Sequence, residues 1–262
     1  MTKLIIFDMD GTLIDTDKVL IETWTEMFDD FLPGYPYTDE LFVSFSGPSL
    51  KSTIDKFFDG MDKEEVVKVY NQRTGKYYDM YASLFEKEVE NLRKIKELGY
   101  KFAIVTNKIR ERTIYCLKLL GLEEFFDFAV CGDDVKVCKP DPEGLLRVLK
   151  HYDVKPEDTL YIGDTEYDYF AAKNANIKCI LMTNVPRVYE HGDEVQPYKF
   201  VKDYDELYEE IKKYETSKWC NNYWSRSSWN VCCNLFKKSK YWFPYFWKIN
   251  ARWKIKYGNR YW

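Results

Sequence analysis

Five short apolar runs, each breaking off at a polar or glycine residue, recur along the chain: Leu4 to Phe7, Phe102 to Val105, Phe128 to Val130, Leu160 to Ile162 and Cys179 to Met182. Unbroken apolar runs of this length suit strands buried on both faces, as in a parallel sheet. Between the later runs lie residues at helical spacing: Val89, Leu92, Ile95 and Leu98; then Ile114, Leu117 and Leu120, closed by Gly121; then Leu145, Val148 and Leu149. Strand alternating with helix predicts an α/β chain with a doubly wound, mostly parallel Rossmann-like sheet. Tyr198 to Val201 adds a weaker edge strand, with Leu207 and Ile211 on a closing helix.

The interval from about Thr16 to Leu84 breaks this rhythm. It holds no convincing strand and several helix-like stretches, such as Val19 to Phe31 and Glu64 to Met80. It leaves after the first strand and returns before the second, which places it over the carboxyl ends of the strands, where open α/β sheets bind ligands. The expected organisation is a core of residues 1–15 and 85–215, a helical insertion over 16–84, and a tail over 216–262.

The tail is set apart by composition. From Thr216 to Trp262 there are ten Lys/Arg, no Asp/Glu and seven of the eight tryptophans, so the formal net charge of -4 conceals an acidic body and a basic end. The seven cysteines are an odd number without zinc spacing, and are read as reduced thiols. With only His151 and His191 available, far apart in sequence, the chemistry falls to carboxylates. No apolar run is long enough to span a bilayer, and the amino terminus reaches charge too soon for a secretory signal, so a cytoplasmic location is expected.

Four short segments carry candidate chemistry. In the first, Asp8-Met9-Asp10-Gly11-Thr12, two carboxylates stand two residues apart where a strand turns at glycine. One, near a cation, is a competent nucleophile toward phosphorus, and the other can donate and accept a proton. On this segment alone, a plain Asp-Gly turn is an equal reading. The second ends a strand in Thr106-Asn107, donors suited to phosphate oxygens or to a helix cap. The third, Lys139-Pro140-Asp141-Pro142, offers an ammonium to neutralise a transferring phosphoryl group, or a solvated surface lysine. The fourth runs from strand into Gly163-Asp164-Thr165-Glu166-Tyr167-Asp168, where Asp164 can bind a hard cation and Asp168 can orient Lys139 or a metal-bound water. A capped helix start explains this last segment as well.

All four segments lie at strand ends in an order that converges them on one edge of one sheet. Together, Asp8-x-Asp10-Gly11-Thr12, Thr106, Lys139-Pro140 and Gly163-Asp164-x-x-x-Asp168 resemble the four motifs of the haloacid dehalogenase superfamily, over about Leu4 to Arg187. The helical insertion resembles the subclass with a small α-helical cap, which includes phosphoglycolate phosphatases, pyrophosphatases and β-phosphoglucomutases. Asp10 and Thr12 speak against a dehalogenase, which lacks that second aspartate. The resemblance implies a nucleophile in Asp8 and a general acid and base in Asp10. It implies a phosphoryl group held by Thr106 and Lys139 with Asn107 at its margin. It also implies Mg²⁺ on Asp8, the Asp10 carbonyl and Asp164, supported by Asp168. The segment Phe45-Ser46-Gly47-Pro48-Ser49 resembles the substrate-facing cap loop, which makes Ser46, Gly47 and Ser49 candidate specificity residues; a plain interhelical loop is an equal reading.

The expectation is a phosphatase acting on a small phosphorylated metabolite, with a phosphomutase as the nearest alternative and no protein partner evident. From another class, a non-catalytic body could work through its tail, whose basic and aromatic content suits an anionic membrane surface or single-stranded nucleic acid. The intact acidic set argues against that alternative.

Overall fold

The computed structural model describes residues 3–187 and 189–223. Six strands form one sheet: β1 (Lys3–Phe7), β2 (Tyr100–Val105), β3 (Phe128–Val130), β4 (Thr159–Gly163), β5 (Lys178–Met182) and β6 (Lys199–Val201). Their spatial order is β3-β2-β1-β4-β5-β6, and every pairing is parallel. Order reverses at β1, whose neighbours are β2 and β4, so the crevice above the carboxyl ends of β1 and β4 is the topological switch point.

Both faces of the sheet are covered. Leu4, Ile6, Ala103, Val105, Tyr161 and Leu181 pack in one cluster with Leu145, Val148 and Leu149 from α7 (Glu143–Tyr152) and Ala171 and Ala172 from α8 (Glu166–Asn174). Ile5, Phe7, Phe102 and Ile104 are fully buried too, and Phe7 meets Phe102 edge to face at 5.1 Å. Burial on both faces is why these strands read as continuous apolar runs rather than alternating ones.

Between β1 and β2 lie α1 (Asp17–Phe31), α2 (Asp39–Val43), α3 (Leu50–Phe57), α4 (Lys63–Tyr81) and α5 (Glu88–Glu97). The first four build a separate apolar cluster around Trp24, Met27, Phe28, Phe42, Ile54, Phe58 and Val66. Phe28 sits 5.0 Å from Phe42, 5.6 Å from Phe57 and 5.7 Å from Phe58, ring to ring. Aromatic side chains bury the most area per residue, which lets such short helices hold a core. The chain leaves and rejoins the sheet through a two-residue antiparallel bridge, in which Asp15 N donates to Ser83 O (2.9 Å) and Ser83 N to Asp15 O (3.2 Å).

One expected helix face turns out differently. In α6 (Arg110–Leu119) the buried residues are Thr113, Cys116 and Leu117, whereas Ile114 is 43% exposed. Thr113 spends its hydroxyl on Ile109 O, which allows it to be buried in place of Ile114, and at the helix start Arg110 donates to the carbonyl of Ala129 on β3 (2.8 Å). The last helix, α9 (Tyr204–Tyr223), runs through Thr216, so the change in composition there falls inside a helix. From Trp224 onward the tail lies outside the described residues, as do its suggested membrane and nucleic-acid contacts. Among the described residues no helix is long and apolar enough to cross a membrane.

Candidate active site

The β1 strand delivers Asp8 to the switch point. Its ladder runs one residue past the strand, with Asp8 N donating to Ile162 O at 2.8 Å, and then folds on itself as Leu13 N and Ile14 N both donate to Met9 O. Gly11 makes that fold at φ +76, a left-handed conformation that favours glycine. The consequence is that Asp8 is buried beneath the loop while Asp10 lies at its edge, partly buried.

Lys139 arrives from the loop before α7 and is almost wholly buried. Its ammonium donates to Asp168 Oδ1 at 2.6 Å and to the Tyr161 hydroxyl at 3.2 Å, and pairs in charge with Asp8 Oδ1 2.7 Å away. The surface-lysine reading of this position is therefore excluded by packing. Asn107 fixes the same loop: its Oδ1 accepts from Lys139 N (2.8 Å), and its Nδ2 donates to Lys139 O (3.2 Å) and to Gly47 O of the helical insertion (2.7 Å). The Asn107 amide is thus engaged with backbone on both sides, and it ties the Ser46–Pro48 loop to the sheet. Thr106 is buried beside it, with its N–H on Val130 O (3.1 Å) and its hydroxyl accepting from Lys108 N (3.2 Å).

Asp168 performs two jobs with two oxygens. Oδ2 accepts from Thr165 N (3.0 Å) and Thr165 Oγ1 (2.6 Å), closing a capping box at the start of α8. Oδ1 faces Lys139 and the Tyr161 hydroxyl, 2.7 Å away. One carboxylate thus both caps the helix and contacts Lys139. Gly163 makes room for it, since a Cβ there would overlap the Asp168 side chain. Asp164, fully buried, accepts from Thr12 Oγ1 at 3.0 Å through Oδ1 and from Arg187 Nε at 2.6 Å through Oδ2.

These groups perturb one another. Burial pushes the Asp8 carboxyl up, and the neighbouring Asp168 adds to that, while Lys139 opposes it. Burial also raises Asp164, against the pull of Arg187. For Asp168 burial acts upward, but the Lys139 charge and its hydrogen bonds win and hold the carboxyl below its ordinary value. Lys139 is driven upward, because Asp168 and Asp8 outweigh the burial that disfavours its charge.

Asp10 has its own cation, one the sequence reading did not single out. Lys108 Nζ lies 2.8 Å from Asp10 Oδ2, and Thr16 Oγ1 donates to Asp10 Oδ1 at 3.0 Å. Lys108 also reaches the hydroxyl of Tyr78 on α4. Its place directly after Thr106-Asn107 was the only signal available, since a lysine next to a strand end is ordinarily solvated.

The proposed specificity residues separate. Ser46 is 7% exposed, its hydroxyl lacks a hydrogen-bond partner, and it lines a cleft of about 480 Å³ together with Pro48, Thr53, Thr165, Tyr167 and Arg187. Gly47 stands against Thr165 and Tyr167. Ser49 instead caps α3, its hydroxyl accepting from Ser52 N at 3.2 Å.

An all-parallel Rossmann-like sheet whose switch point gathers acids around a buried lysine defines an α/β enzyme working at its strand ends. Within that class, the chain belongs to the haloacid dehalogenase-like hydrolases, whose family model matches residues 5–182. The chain is 37% identical over 174 residues to pyrophosphatase PpaX of Halalkalibacterium halodurans, covering 66% of this chain and 80% of that one. Its fold is that of a haloacid dehalogenase-like family protein of Streptococcus pneumoniae (TM-score 0.69, 23% identity, 80% of this chain and 98% of that one). It is likewise that of CbbY from Rhodobacter sphaeroides, solved in complex with phosphate (TM-score 0.67, 21% identity, 79% and 96%). The chain is a phosphohydrolase of this family.

Proposed function

We propose that the chain is a magnesium-dependent phosphatase that hydrolyses a small phosphate ester or anhydride, phosphoglycolate- or pyrophosphate-like, through an aspartyl phosphate on Asp8. The observation that carries this reading is the buried ammonium of Lys139 shared between Asp8 and Asp168, with Asp164 alongside. The pyrophosphatase name of the relative from Halalkalibacterium supports the substrate class.

The donor set suits a divalent cation. Asp8, Asp164 and Asp168 are buried and offer carboxylate oxygens within 4.8 Å of one another, three negative charges against Lys139 and an Arg187 that is shared with Asp17. Hard oxygen donors are those that Mg²⁺ takes. Asp8, the backbone carbonyl of Asp10 and Asp164 would hold the ion, with Asp168 supporting through Lys139. When bound, the cation supplies positive charge to the phosphoryl oxygens and keeps a carboxylate ionised.

Asp8 then attacks phosphorus, and the bond from phosphorus to the leaving oxygen breaks as Asp10 gives that oxygen its proton. In the second displacement Asp10 takes a proton from water, the water oxygen bonds to phosphorus, and the acyl phosphate bond breaks to free Asp8 and inorganic phosphate. Lys139 and Thr106 hold the phosphoryl oxygens throughout. Ser46 lines the cleft in which the leaving group would lie.

A panel of phosphate esters, pyrophosphate included, assayed for released phosphate with and without Mg²⁺, tests the reading. Release that depends on Mg²⁺ is expected. Activity indifferent to chelation would overturn the cation, and an isomerised sugar phosphate in place of free phosphate would identify a mutase.

A further inference from the structure

Arg187 follows β5 in a segment that no motif covers, yet its side chain is 5% exposed and reaches the switch point. Nε donates to Asp164 Oδ2 at 2.6 Å, and Nη1 donates to both oxygens of Asp17 at 2.9 and 3.0 Å. Nη2 is buried without a hydrogen-bond partner, against Gly11, where a Cβ would overlap it. Asp17 is the first residue of α1, two residues beyond the Asp15–Ser83 bridge where the helical insertion leaves the sheet. One guanidinium is therefore shared between a carboxylate at the end of β4 and the base of the insertion.

We propose that Arg187 is a positioning residue that links cation binding at Asp164 to the base of the helical insertion. The inference rests on the reading that Asp8 and Asp164 hold a divalent cation. A guanidinium and a divalent cation on one carboxylate repel each other, and the low-dielectric surroundings leave that repulsion poorly screened. Cation binding consequently weakens the Arg187–Asp164 contact and shifts Arg187 toward Asp17. By reciprocity, whatever strengthens the Arg187–Asp164 contact weakens cation binding.

The test measures Mn²⁺ affinity of the full chain by calorimetry, alongside hydrogen exchange of the first turn of α1. Arg187→Gln is expected to bind Mn²⁺ about 10-fold more tightly than the parent, within the ordinary range of coupling between sites. Asp17→Asn leaves Arg187 only Asp164 to neutralise, and is expected to bind roughly 3-fold more weakly. Mn²⁺ should change exchange at Asp17–Leu20 in the parent and not in Arg187→Gln. Asp164→Asn is the control for the site itself. If it lowers affinity while Arg187→Gln leaves affinity unchanged or weaker, the link fails and the cation site stands. If Asp164→Asn binds Mn²⁺ as the parent does, the cation reading fails and takes the link with it. Should Arg187→Gln not fold, unaltered affinity in Asp17→Asn overturns the proposal on its own.

Discussion

Lys108 and Asp10, at the ends of neighbouring strands β2 and β1, form an ion pair of 2.8 Å that is largely shielded from solvent, and the same ammonium touches Tyr78 of the helical insertion. The pair joins the carboxylate proposed as general acid and base to the element that covers it. Burial opposes the charge on Lys108, but Asp10, Tyr78 and Cys116 together outweigh it and the lysine is held well above its ordinary value.

Lys108→Met is accordingly expected to lower kcat about 100-fold, the low end of what a positioned acid and base contributes. Lys108→Arg should recover part of the loss. Steady-state kinetics on a phosphate ester decide this, and parental kcat in the methionine variant would reduce Lys108 to a packing contact with Tyr78.

Asp8→Asn should abolish turnover, by more than about 1,000-fold, without loss of the fold. Because burial and Asp168 both disfavour the charged Asp8, the amide is expected to leave thermal stability equal to or above that of the parent. Substantial residual activity in a correctly folded Asp8→Asn protein would remove the nucleophile from the scheme.

Lys139→Ala removes the one ammonium between Asp8 and Asp168 and leaves both carboxylates buried. Breaking a buried ion pair from one side costs about 3–5 kcal/mol. Urea denaturation under chelating conditions should show a loss of that order. A change below about 1 kcal/mol would mean that water reaches the cluster.

The two loop serines should part company. Ser46→Ala is expected to reorder the substrate panel with stability little altered, since its buried hydroxyl has no partner to lose. Ser49→Ala removes the cap of α3 and should cost about 1 kcal/mol with the substrate ranking intact. Identical rankings for both variants would take the loop out of specificity.

Glu88 opens α5 at 1% exposure, with Oε2 accepting from Phe85 N at 3.1 Å and Oε1 without a hydrogen-bond partner. Burial pushes its carboxyl up to about 8. Between the unfolded value, about 4.3, and that folded value, the folded state holds the extra proton. Stability therefore falls as pH rises through this window. Glu88→Gln cannot ionise and is expected to raise the thermal midpoint by roughly 10 °C at pH 8, with little effect at pH 5. An equal shift at both pH values would place the effect in packing rather than ionisation.

Much of the architecture was legible in the sequence because a parallel sheet covered on both sides needs unbroken apolar strands. Leu4–Phe7 and Leu160–Ile162 announce that environment in their side chains alone. The helical insertion showed itself as an interruption of that alternation. The face of α6 was not legible, since Ile114 and Leu117 fit a helical stripe equally well, yet only Leu117 is buried.

The sequence by itself showed which groups are available: carboxylates at strand ends, the lysine of Lys139-Pro140, and only two histidines. Only the tertiary structure decided how those groups are shared. It set Lys139 between Asp8 and Asp168, gave Asp10 to Lys108, sent Arg187 to both Asp164 and Asp17, and spent Ser49 on a helix cap. The physical reason is range. A strand or helix is specified by neighbours a few residues away, whereas an ion pair such as Arg187 with Asp17 joins positions 170 residues apart and exists only once the sheet has brought its strand ends together.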